Sequence, residues 1–529
     1  MNPTLKPVLF AVLLALAVGL VYSNALDGPF VLDDKFSIVD NPALRTLWPL
    51  TAALNPPPVD VTFCTRPIIN LAMCVDYALW GLNPLGYHLT SIAFHLAATL
   101  VLFGLLSRIF QRMNLSPPEA LKWSFLAALL WALHPLATAA VNYPSQRGEL
   151  GVGLFLFLTL YFLDRAGGPR LAGRLSFTSS DQIMEDERSR EPKFKERTWP
   201  WLLVSVLACL LGMGSKENMI VAPVLAMVYD RVFLSASWKT VFRQRGLFYL
   251  ALAATALWPI HRHMIFSPHV RSQALDAEIW WRYLPTQSWG LNRFIRLIVW
   301  PHPLVFDYGR PLAGGWGEVW MPTLGLLLLI AATGWALLKH PRWGFMGLCF
   351  FALLAPASLF LIPGQPLAEH RMYVPLAFAV VLLVMGARQL LKNMEISAIV
   401  APAAFALVAL VFGGLTWHRN QQYRSEVTLL SDTITKWPYS ARAYSNRGLA
   451  RQEQGDRAGA LADYDRALEL SPDYFSTLLN RANILFDLGE YEAALEDLDR
   501  AQALQPESPL LPSLRTLVLE RMGGVQAEH

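Results

Sequence analysis

Charged residues are scarce in this chain. Lysine, arginine, aspartate and glutamate make up only 16% of its 529 residues, whereas 54% of the residues are hydrophobic. A soluble domain rarely reaches that balance, and a membrane protein with several spans routinely does. The net charge is only +4, so it gives no argument for binding to nucleic acid. Composition therefore argues against an ordinary soluble protein and indicates several membrane spans.

Cysteine is also scarce, with four residues in the whole chain. Cys209 and Cys349 lie inside apolar runs, which predicts that they are small packing residues. Cys64 and Cys74 lie in the first long loop and could pair in an oxidising compartment. Sequence cannot supply the geometry of a disulfide, so this pairing stays open.

Hydrophobic runs long enough to cross a bilayer, about 20 residues each, recur down to Thr416. We predict roughly eleven spans, near 7–26, 86–107, 122–141, 149–164, 199–213, 217–234, 246–262, 319–338, 343–362, 373–391 and 397–416. The first run lacks a clear small-x-small cleavage site and more spans follow it, so we interpret it as a retained anchor.

Lysine and arginine concentrate in alternate loops. The basic segments are 108–122, 165–198, 235–245, 339–342 and 388–392. All of them fall on one side if the N-terminus is cytoplasmic, as the positive-inside rule requires. Residues 27–85, 142–148, 214–216, 263–318, 363–372 and everything after Trp417 then lie on the outer side. The adjacent acids Asp33 and Asp34, in the stretch "GPFVLDDKFSIVDNP", therefore face outward.

The sequence after the last span contains a repeat. Aligning Pro472 with Pro506 gives a period of 34, in which Gly455 matches Gly489. Small residues where two helices cross, with a closing proline, are typical of tetratricopeptide repeats. We expect a membrane domain at 1–416 with its first outer loop at 27–85, a linker at 417–440 and repeats at 441–529. The repeat region divides into units at 441–474 and 475–508 and a capping helix at 509–523.

Polar clusters recur at the outer ends of the predicted spans. Besides the acid pair, they contain Arg66, His88, His95, His134, Arg147, Glu149, Lys216, Glu217, Asp307, Arg310, Glu369, His370, Arg371 and Tyr373. Any one of these residues could simply snorkel to the interface or cap a helix. Ionisable groups at membrane depth are costly and usually line a cavity, so the clusters together predict one site at the outer boundary.

These motifs resemble a known family. The segments "FVLDD", "TRPI", "GYHL", "HPLATAAV", "SQRGEL", "GSKEN" and "AEHRMYVP", followed by the repeats, are similar to the transmembrane and tetratricopeptide-repeat O-mannosyltransferases and their bacterial relatives. The resemblance implies an all-α fold, a transmembrane bundle of the GT-C superfamily of glycosyltransferases that use polyprenyl-phosphate sugars. The chain departs from the family in two ways. Ala139 stands directly after Thr138, where family members usually carry an acid, and the repeat array is short.

The residue types suit this chemistry. A carboxylate must accept the proton of an attacking hydroxyl, and Asp33, or Asp34 beside it, is the candidate base. Cations must neutralise the phosphate as negative charge develops on it. The candidates for binding the donor phosphate and sugar, or for bracing those cations, are Arg66, His88, His134, Arg147, Lys216, Glu369, Arg371 and Tyr373. A metal bound by the acids with a nucleotide sugar is the rival interpretation, which we rank lower because nucleotide sugars are cytoplasmic.

The sequence thus predicts a membrane glycosyltransferase that moves a sugar, with mannose as the expected one, from a polyprenyl phosphate to a protein hydroxyl. We expect no metal or cofactor, since the polyprenyl-phosphate sugar is a substrate. The expected partners are membrane lipids, the donor and an acceptor protein bound by the repeats, and not nucleic acid. The alternatives are a non-catalytic scaffold or a transferase acting on a lipid or envelope polymer. We expect a bacterial inner membrane with periplasmic repeats, with the endoplasmic reticulum as the alternative.

Overall fold

The computed structural model describes residues 5–56, 63, 65–168, 198–266, 277–309, 315–359, 365–394 and 400–528. Within these ranges the regular elements are helices, and this confirms the all-α prediction. Cys64 and most of the basic segment 165–198 lie outside the described residues, so the pairing of Cys64 with Cys74 stays a prediction. Cys209 and Cys349 are buried, as their packing role predicts.

The membrane domain is a bundle of α-helices. Its helices are α1 (Leu5–Tyr22), α2 (Leu50–Leu54), α3 (Pro67–Trp80), α4 (Pro84–Arg112), α5 (Pro117–Ala132), α6 (Thr138–Val141), α7 (Arg147–Ala166), α8 (Trp199–Met213), α9 (Ala222–Tyr229), α10 (Trp238–Thr255), α11 (Leu257–Phe266), α12 (Ala277–Val299), α13 (Trp316–Lys339), α14 (Pro341–Leu359), α15 (Tyr373–Asn393) and α16 (Val400–Gln422). The short 3₁₀ helices are Ser23–Ala25, Pro42–Arg45, Pro135–Ala137, Pro144–Gln146, Glu217–Val221 and Glu369–Met372, and the π-helices are Lys35–Val39 and Asp230–Leu234.

Fewer helices than predicted qualify as membrane spans by length and composition. Among the described residues five do so, and a sixth is added if Pro117–Ala132 and Pro135–Val141, which meet at 54°, form one bent span. The count of about eleven is therefore not confirmed. Hydropathy alone does not reveal breaks: the predicted span 217–234 is a 3₁₀ turn, a short α-helix and a π-turn in succession.

The helix ends and crossings follow from local sequence. Helix α4 begins at Pro84, whose missing N–H costs nothing in the first turn, and the Asn83 side chain accepts a hydrogen bond from the N–H of Leu85 at 3.1 Å. Helices α7 and α15 approach closely at Gly153, where an added Cβ would lie 2.8 Å from the Tyr373 ring. Small residues permit such close crossings between membrane helices.

Three arginines from the predicted basic segments lie at one end of the bundle. Arg108 and Arg112 at the end of α4 both bond to Asp164 near the end of α7. Arg388 near the end of α15 bonds to Glu119 at the start of α5, at 3.3 Å. The opposite end carries the acid pair. The positions of these arginines and of the acid pair agree with the alternation that the loop charges predict. The cytoplasmic location of the end that carries the arginines stays a prediction.

The C-terminal region is a stack of paired helices. It comprises α17 (Glu426–Lys436), α18 (Ala441–Glu453), α19 (Arg457–Leu470), α20 (Phe475–Asp487), α21 (Tyr491–Leu504) and α22 (Leu510–Glu528). The segment expected to be a linker is therefore largely helical, since α16 extends beyond 416 and α17 packs against α18 through Leu430, Ile434 and Ala443.

The period of 34 reappears in three dimensions. Gly455 and Gly489 both adopt positive φ, near 84°, at the turn between paired helices, where only glycine avoids a steric penalty. The side chains of Arg481 and Arg515 bond to acids 16 residues earlier, Asp465 and Asp499. The helix at 510–528 therefore stacks in the same register as the two units before it.

Candidate functional site

The two adjacent acids have different environments. Asp34 is fully buried, and its carboxylate accepts hydrogen bonds from the backbone N–H of Ser145 at 2.8 Å, from the Ser145 hydroxyl and from the N–H of Val31 at 3.3 Å. Burial raises the pKa of Asp34 to about 7 despite these three donors. Asp34 therefore holds the loop after α1 against the turn before α7 and leaves Asp33 as the accessible acid.

Asp33 has an exposed side chain. Its backbone N–H donates to the Tyr143 hydroxyl at 2.9 Å. The pKa of the Asp33 carboxyl is raised, mainly because the surrounding protein removes water from it, and the negative charge of Asp307 raises it further. A hydrogen bond with the Tyr143 hydroxyl and the positive charges of Arg442 and Arg66 oppose this shift. A carboxylate with a raised pKa that stays accessible has the properties required of a general base.

The backbone beside the acids is held in an unusual conformation. Leu32 has a φ of 49°, in the left-handed region that residues other than glycine rarely occupy. Its N–H donates to Glu426 on α17 at 3.2 Å. Such local strain persists only where the surroundings enforce it, and it often occurs at functional sites. Glu426 thus fixes the direction in which the next residue, Asp33, points.

Three predicted cations line one cavity. Arg66, Lys216 and Arg371 surround a cavity of about 110 Å³, together with Gln146, Glu217, Asn218, Ala357, Gln365 and His370. They come from three separate segments, the start of α3, the turn after α8 and the turn before α15. The structure therefore brings together the clusters "TRPI", "GSKEN" and "AEHRMYVP", as their common outer position predicts.

Each cation is held in its own way. Arg66 donates to Glu217 at 3.2 Å, and Lys216 donates to Glu149 at 2.9 Å. Burial lowers the pKa of Lys216, and the charge of Glu149 opposes that shift. With two acids against three cations, the cluster keeps a formal excess of positive charge.

Arg371 differs from the other two cations because backbone carbonyl groups position it. Its Nη1 donates to the carbonyl oxygen of Pro366 at 2.9 Å, and its Nη2 donates to that of Gln365 at 2.6 Å. Carbonyl groups orient the planar guanidinium without cancelling its charge, which leaves Arg371 suited to attract an anion.

Glu369 does not brace Arg371, contrary to our expectation. Its Oε1 accepts hydrogen bonds from the N–H of Val305 at 2.8 Å and from the Tyr308 hydroxyl at 2.7 Å. It therefore ties the turn before α15 to the outer segment after α12. Val305 and Glu369 are 64 residues apart, so no local pattern in the sequence indicates their contact.

Arg147 is also placed differently from the expectation that it contacts the phosphate. It is completely buried and donates to Asp76 at 2.5 Å, to the carbonyl oxygen of Tyr87 at 2.8 Å and to the Ser91 hydroxyl at 3.3 Å. A buried guanidinium with this set of acceptors holds α3, α4 and α7 together. Asp76, which the sequence analysis missed, is its charge partner.

The two histidines predicted to bind the donor or brace the cations, His88 and His134, support the outer end of the bundle and are not among the residues that line the cavity. His88 Nε2 donates to the carbonyl oxygen of Gly28 at 3.0 Å. His134 Nε2 lies 3.0 Å from the carbonyl oxygen of Ile298, while its Nδ1 accepts from the N–H of Leu136 at 3.2 Å. Both nitrogens of His134 are thus used in fastening the turn after α5.

Tyr373 likewise belongs to the packed core. Its hydroxyl lies 2.8 Å from His95 Nδ1, and its backbone carbonyl accepts from Trp131 Nε1 at 2.9 Å. His95 Nε2 lies 3.1 Å from the Ala132 carbonyl oxygen, so this nitrogen donates and Nδ1 accepts from the tyrosine. Tyr373 joins α15 to α4 and α5 and is not among the residues lining the cavity.

The repeat stack docks on the outer end beside Asp33. Arg442 Nε donates to Asp307 at 2.5 Å, and Trp437 Nε1 donates to the carbonyl oxygen of Tyr308 at 3.0 Å. Lys35, two residues after Asp33, lies 2.7 Å from both Glu426 and Glu453. The sequence analysis identified the acids and the repeats separately. It did not predict these contacts, because the residues that form them are 129 to 418 positions apart.

No group of three or more metal-ligating side chains occurs in the part of the chain that the structure describes. The expectation that the protein needs no metal stays a prediction.

Comparison with known proteins supports this description. The tetratricopeptide repeat family matches residues 445–509. The chain is 25% identical over 537 residues to protein O-mannosyl-transferase TMTC3 of Mus musculus, covering 94% of this chain and 55% of that protein. It is 25% identical to protein O-mannosyl-transferase TMTC4 of Mus musculus, with 87% and 66% covered, and 24% identical to protein O-mannosyl-transferase F38B6.6 of Caenorhabditis elegans, with 88% and 63% covered.

The chain therefore spans between about half and two thirds of the length of these relatives. No solved structure matches it. The apolar helices and these relatives indicate a membrane protein. The comparisons confirm the resemblance to the transmembrane and tetratricopeptide-repeat O-mannosyltransferase family, which extends over most of the chain.

Proposed function

We propose that this chain is an integral-membrane glycosyltransferase of the GT-C class. It moves a sugar, with mannose as the expected one, from a polyprenyl phosphate to a hydroxyl group of a protein on the outer face of the membrane. One observation carries the proposal: the accessible Asp33 adjoins Asp34, which accepts a hydrogen bond from the N–H of Ser145 at 2.8 Å, and the next residue, Gln146, lines the cavity shared by Arg66, Lys216 and Arg371. A base and a phosphate-binding cluster are the two parts that the reaction needs.

The proposed reaction uses these parts together. The acceptor oxygen attacks the first carbon of the sugar with inversion, and its proton passes to Asp33. The bond from that carbon to the phosphate oxygen breaks, and the polyprenyl phosphate leaves with the electron pair. Arg66, Lys216 and Arg371 stabilise the negative charge that develops on the phosphate. This stabilisation is largest where water is limited, as it is around the buried Lys216 and Arg371.

The docked repeats favour a protein acceptor. Tetratricopeptide stacks bind extended segments of other proteins along a concave surface. Here the first repeat helix contacts the outer segment through Arg442, whose charge also acts on Asp33. A protein bound along the repeats would therefore lie close to the candidate base. We propose that the N-terminus is cytoplasmic and that the repeats lie outside, in the periplasm of a bacterium, and that no metal takes part.

The test is transfer of radiolabelled mannose from polyprenyl-phosphate mannose by the purified full-length protein. A membrane extract from cells that lack the gene supplies the acceptors. After the reaction, the products are separated into protein, lipid and polymer fractions. We expect label in the protein fraction with the wild type and none with Asp33→Asn. The matched control is Asp40→Asn, because Asp40 is an exposed acid in the same loop and should leave transfer unchanged.

Two results would contradict the proposal. Label in the lipid or polymer fraction alone would assign the acceptor to that class instead. No transfer to any fraction by a wild type that binds the donor, even with glucose, galactose and N-acetylglucosamine carried on the same lipid, would support the non-catalytic scaffold.

A further inference from the structure

A second cavity lies at the end of the bundle away from Asp33. It has a volume of about 380 Å³ and is lined by residues that include Arg108, Arg112, Asp164, Arg165 and Trp201. Arg112 ends α4, which begins near His88 at the outer end. At 1.5 Å per residue this helix of 29 residues separates the two levels by about 40 Å. The cavity is thus independent of the candidate transfer site.

The charge in this cavity is unbalanced. The Nε groups of Arg108 and Arg112 both bond to the buried carboxylate of Asp164, which also accepts from the Tyr229 hydroxyl at 2.7 Å. Among the described residues of the lining, a single carboxylate therefore faces three guanidinium groups, since Arg165 also lines the cavity. The formal charge of these described residues is +2, and this favours an anion.

Arg165 is positioned by aromatic side chains. Its guanidinium lies over the Trp201 ring, 4.5 Å from the centroid, and its Nη1 donates to the Tyr161 hydroxyl at 3.3 Å. No carboxylate within the described ranges pairs with it. Stacking on an aromatic face orients a guanidinium and leaves its in-plane N–H groups available for a phosphate.

The position of the cavity matches a lipid headgroup. It lies where α4 and α7 end and α8 begins, and Trp201 is in the first turn of α8. Tryptophan concentrates at the membrane–water boundary, and basic pockets between membrane helices bind phosphate headgroups. We propose that this cavity binds an anionic phosphate group. Both a phospholipid headgroup and free phosphate carry that chemistry, and the location favours the lipid.

The test is a binding titration of the purified full-length protein by native mass spectrometry. Phosphatidylglycerol is compared with phosphatidylcholine of the same acyl chains, with and without millimolar inorganic phosphate. We expect the wild type to prefer phosphatidylglycerol. Arg165→Gln should reduce that preference by about fivefold, the effect of one basic residue near the surface, and Arg108→Gln should do the same while Arg112 still pairs with Asp164.

The matched control is Arg388→Gln, a basic residue at the same end that pairs with Glu119 and does not line the cavity. It should leave the preference unchanged, and all variants should keep the wild-type thermal midpoint. Displacement of the lipid by inorganic phosphate would assign the site to free phosphate, and persistence would assign it to the lipid. Equal binding of the two lipids with no bound phosphate, or an equal loss in Arg388→Gln, would overturn the proposal.

Discussion

At the scale of single residues, the two acids at 33 and 34 show how burial separates neighbouring groups with the same chemistry. Asp34 is buried under three hydrogen-bond donors, whereas Asp33 is exposed beside Tyr143. A carboxylate that binds protein donors on both oxygens is poorly placed to take a proton from a substrate. We therefore assign the role of base to Asp33 and a positioning role to Asp34.

This assignment predicts a pH dependence. The base works only when deprotonated, so kcat/KM should rise with pH as Asp33 loses its proton, above the ordinary range for an aspartate because its pKa is raised. The Tyr143 hydroxyl lowers that pKa. Tyr143→Phe should therefore move the acid limb of the pH profile to higher pH. Tyr439→Phe, at an exposed tyrosine, is the control, and an equal shift in both variants would argue against the assignment.

Arg371 allows a sharper test of the phosphate cluster. Its planar guanidinium group is held by two backbone carbonyl groups. A lysine at this position would keep the positive charge but could not reproduce the paired N–H groups of the guanidinium. Arg371→Lys should lower kcat/KM for the donor by about thirty- to a thousandfold, which corresponds to about 2–4 kcal/mol. Arg371→Ala should lose more.

The control for Arg371 is Arg388→Lys, at a partly exposed arginine at the opposite end of the same helix. Kinetics like those of the wild type in Arg371→Lys would mean that this arginine only interacts with lipid headgroups, for which lysine is an equal substitute.

At the scale of helices, the repeats were the most predictable part of the chain. A period of 34 in small residues and prolines is a local signal, and the helix pairs at 441–470 and 475–504 follow it. The spans were less predictable. Hydropathy measures only average polarity, so it does not show that residues 217–234 break into a 3₁₀ turn, a short α-helix and a π-turn. It also gave no indication of the polar-faced helix Ala277–Val299 within a predicted outer loop.

The site was predictable in its cations and not in its partners. Arg66, Lys216 and Arg371 were recognised because each lies at the outer end of a predicted span. The same reasoning grouped Arg147 with them, whereas the structure places Arg147 against Asp76, 71 residues away in the sequence, and not in the cavity lining. Hydrogen bonds between distant segments depend on packing, and a single sequence does not encode them in any local pattern.

The contact between α18 and the outer segment provides a prediction at this scale. Arg442 makes a charge-assisted pair with Asp307, and such bonds contribute about 1.5–3 kcal/mol. Arg442→Gln should speed hydrogen–deuterium exchange in α17 by roughly ten- to a hundredfold as the stack opens more often. Arg466→Gln, which removes an exposed pair with Glu469, should change exchange by less than about fivefold. Unchanged exchange in Arg442→Gln would show that this pair does not hold the stack in place.

At the scale of the whole molecule, the structure divides into two charged ends. Basic residues such as Arg108 and Arg388 lie at one end, and the acid pair with the docked repeats lies at the other. The repeats cannot be on a different side of the membrane from Asp33, since Lys35 contacts Glu453 at 2.7 Å. We propose from the positive-inside rule that the basic end is cytoplasmic.

This arrangement predicts the topology. A tag fused after His529 should be labelled by an impermeant reagent from the periplasmic side of intact cells. A second tag inserted in the segment 169–197 should be labelled only after the membrane is opened. Labelling of both tags from the same side would contradict the two-ended arrangement. Labelling of only the 169–197 tag in intact cells would place the candidate site in the cytoplasm.

The most direct test of the central claim compares turnover with donor binding in three single variants, Asp33→Asn, Asp34→Asn and Asp40→Asn. We predict that Asp33→Asn lowers kcat by about a hundred- to ten-thousandfold, because it removes a general base, while donor affinity and thermal midpoint stay at wild-type values. Asp34→Asn should lower the thermal midpoint together with kcat, and Asp40→Asn should change neither. Wild-type turnover in Asp33→Asn would contradict the account, because the exposed acid proposed as the base would then have no part in the reaction.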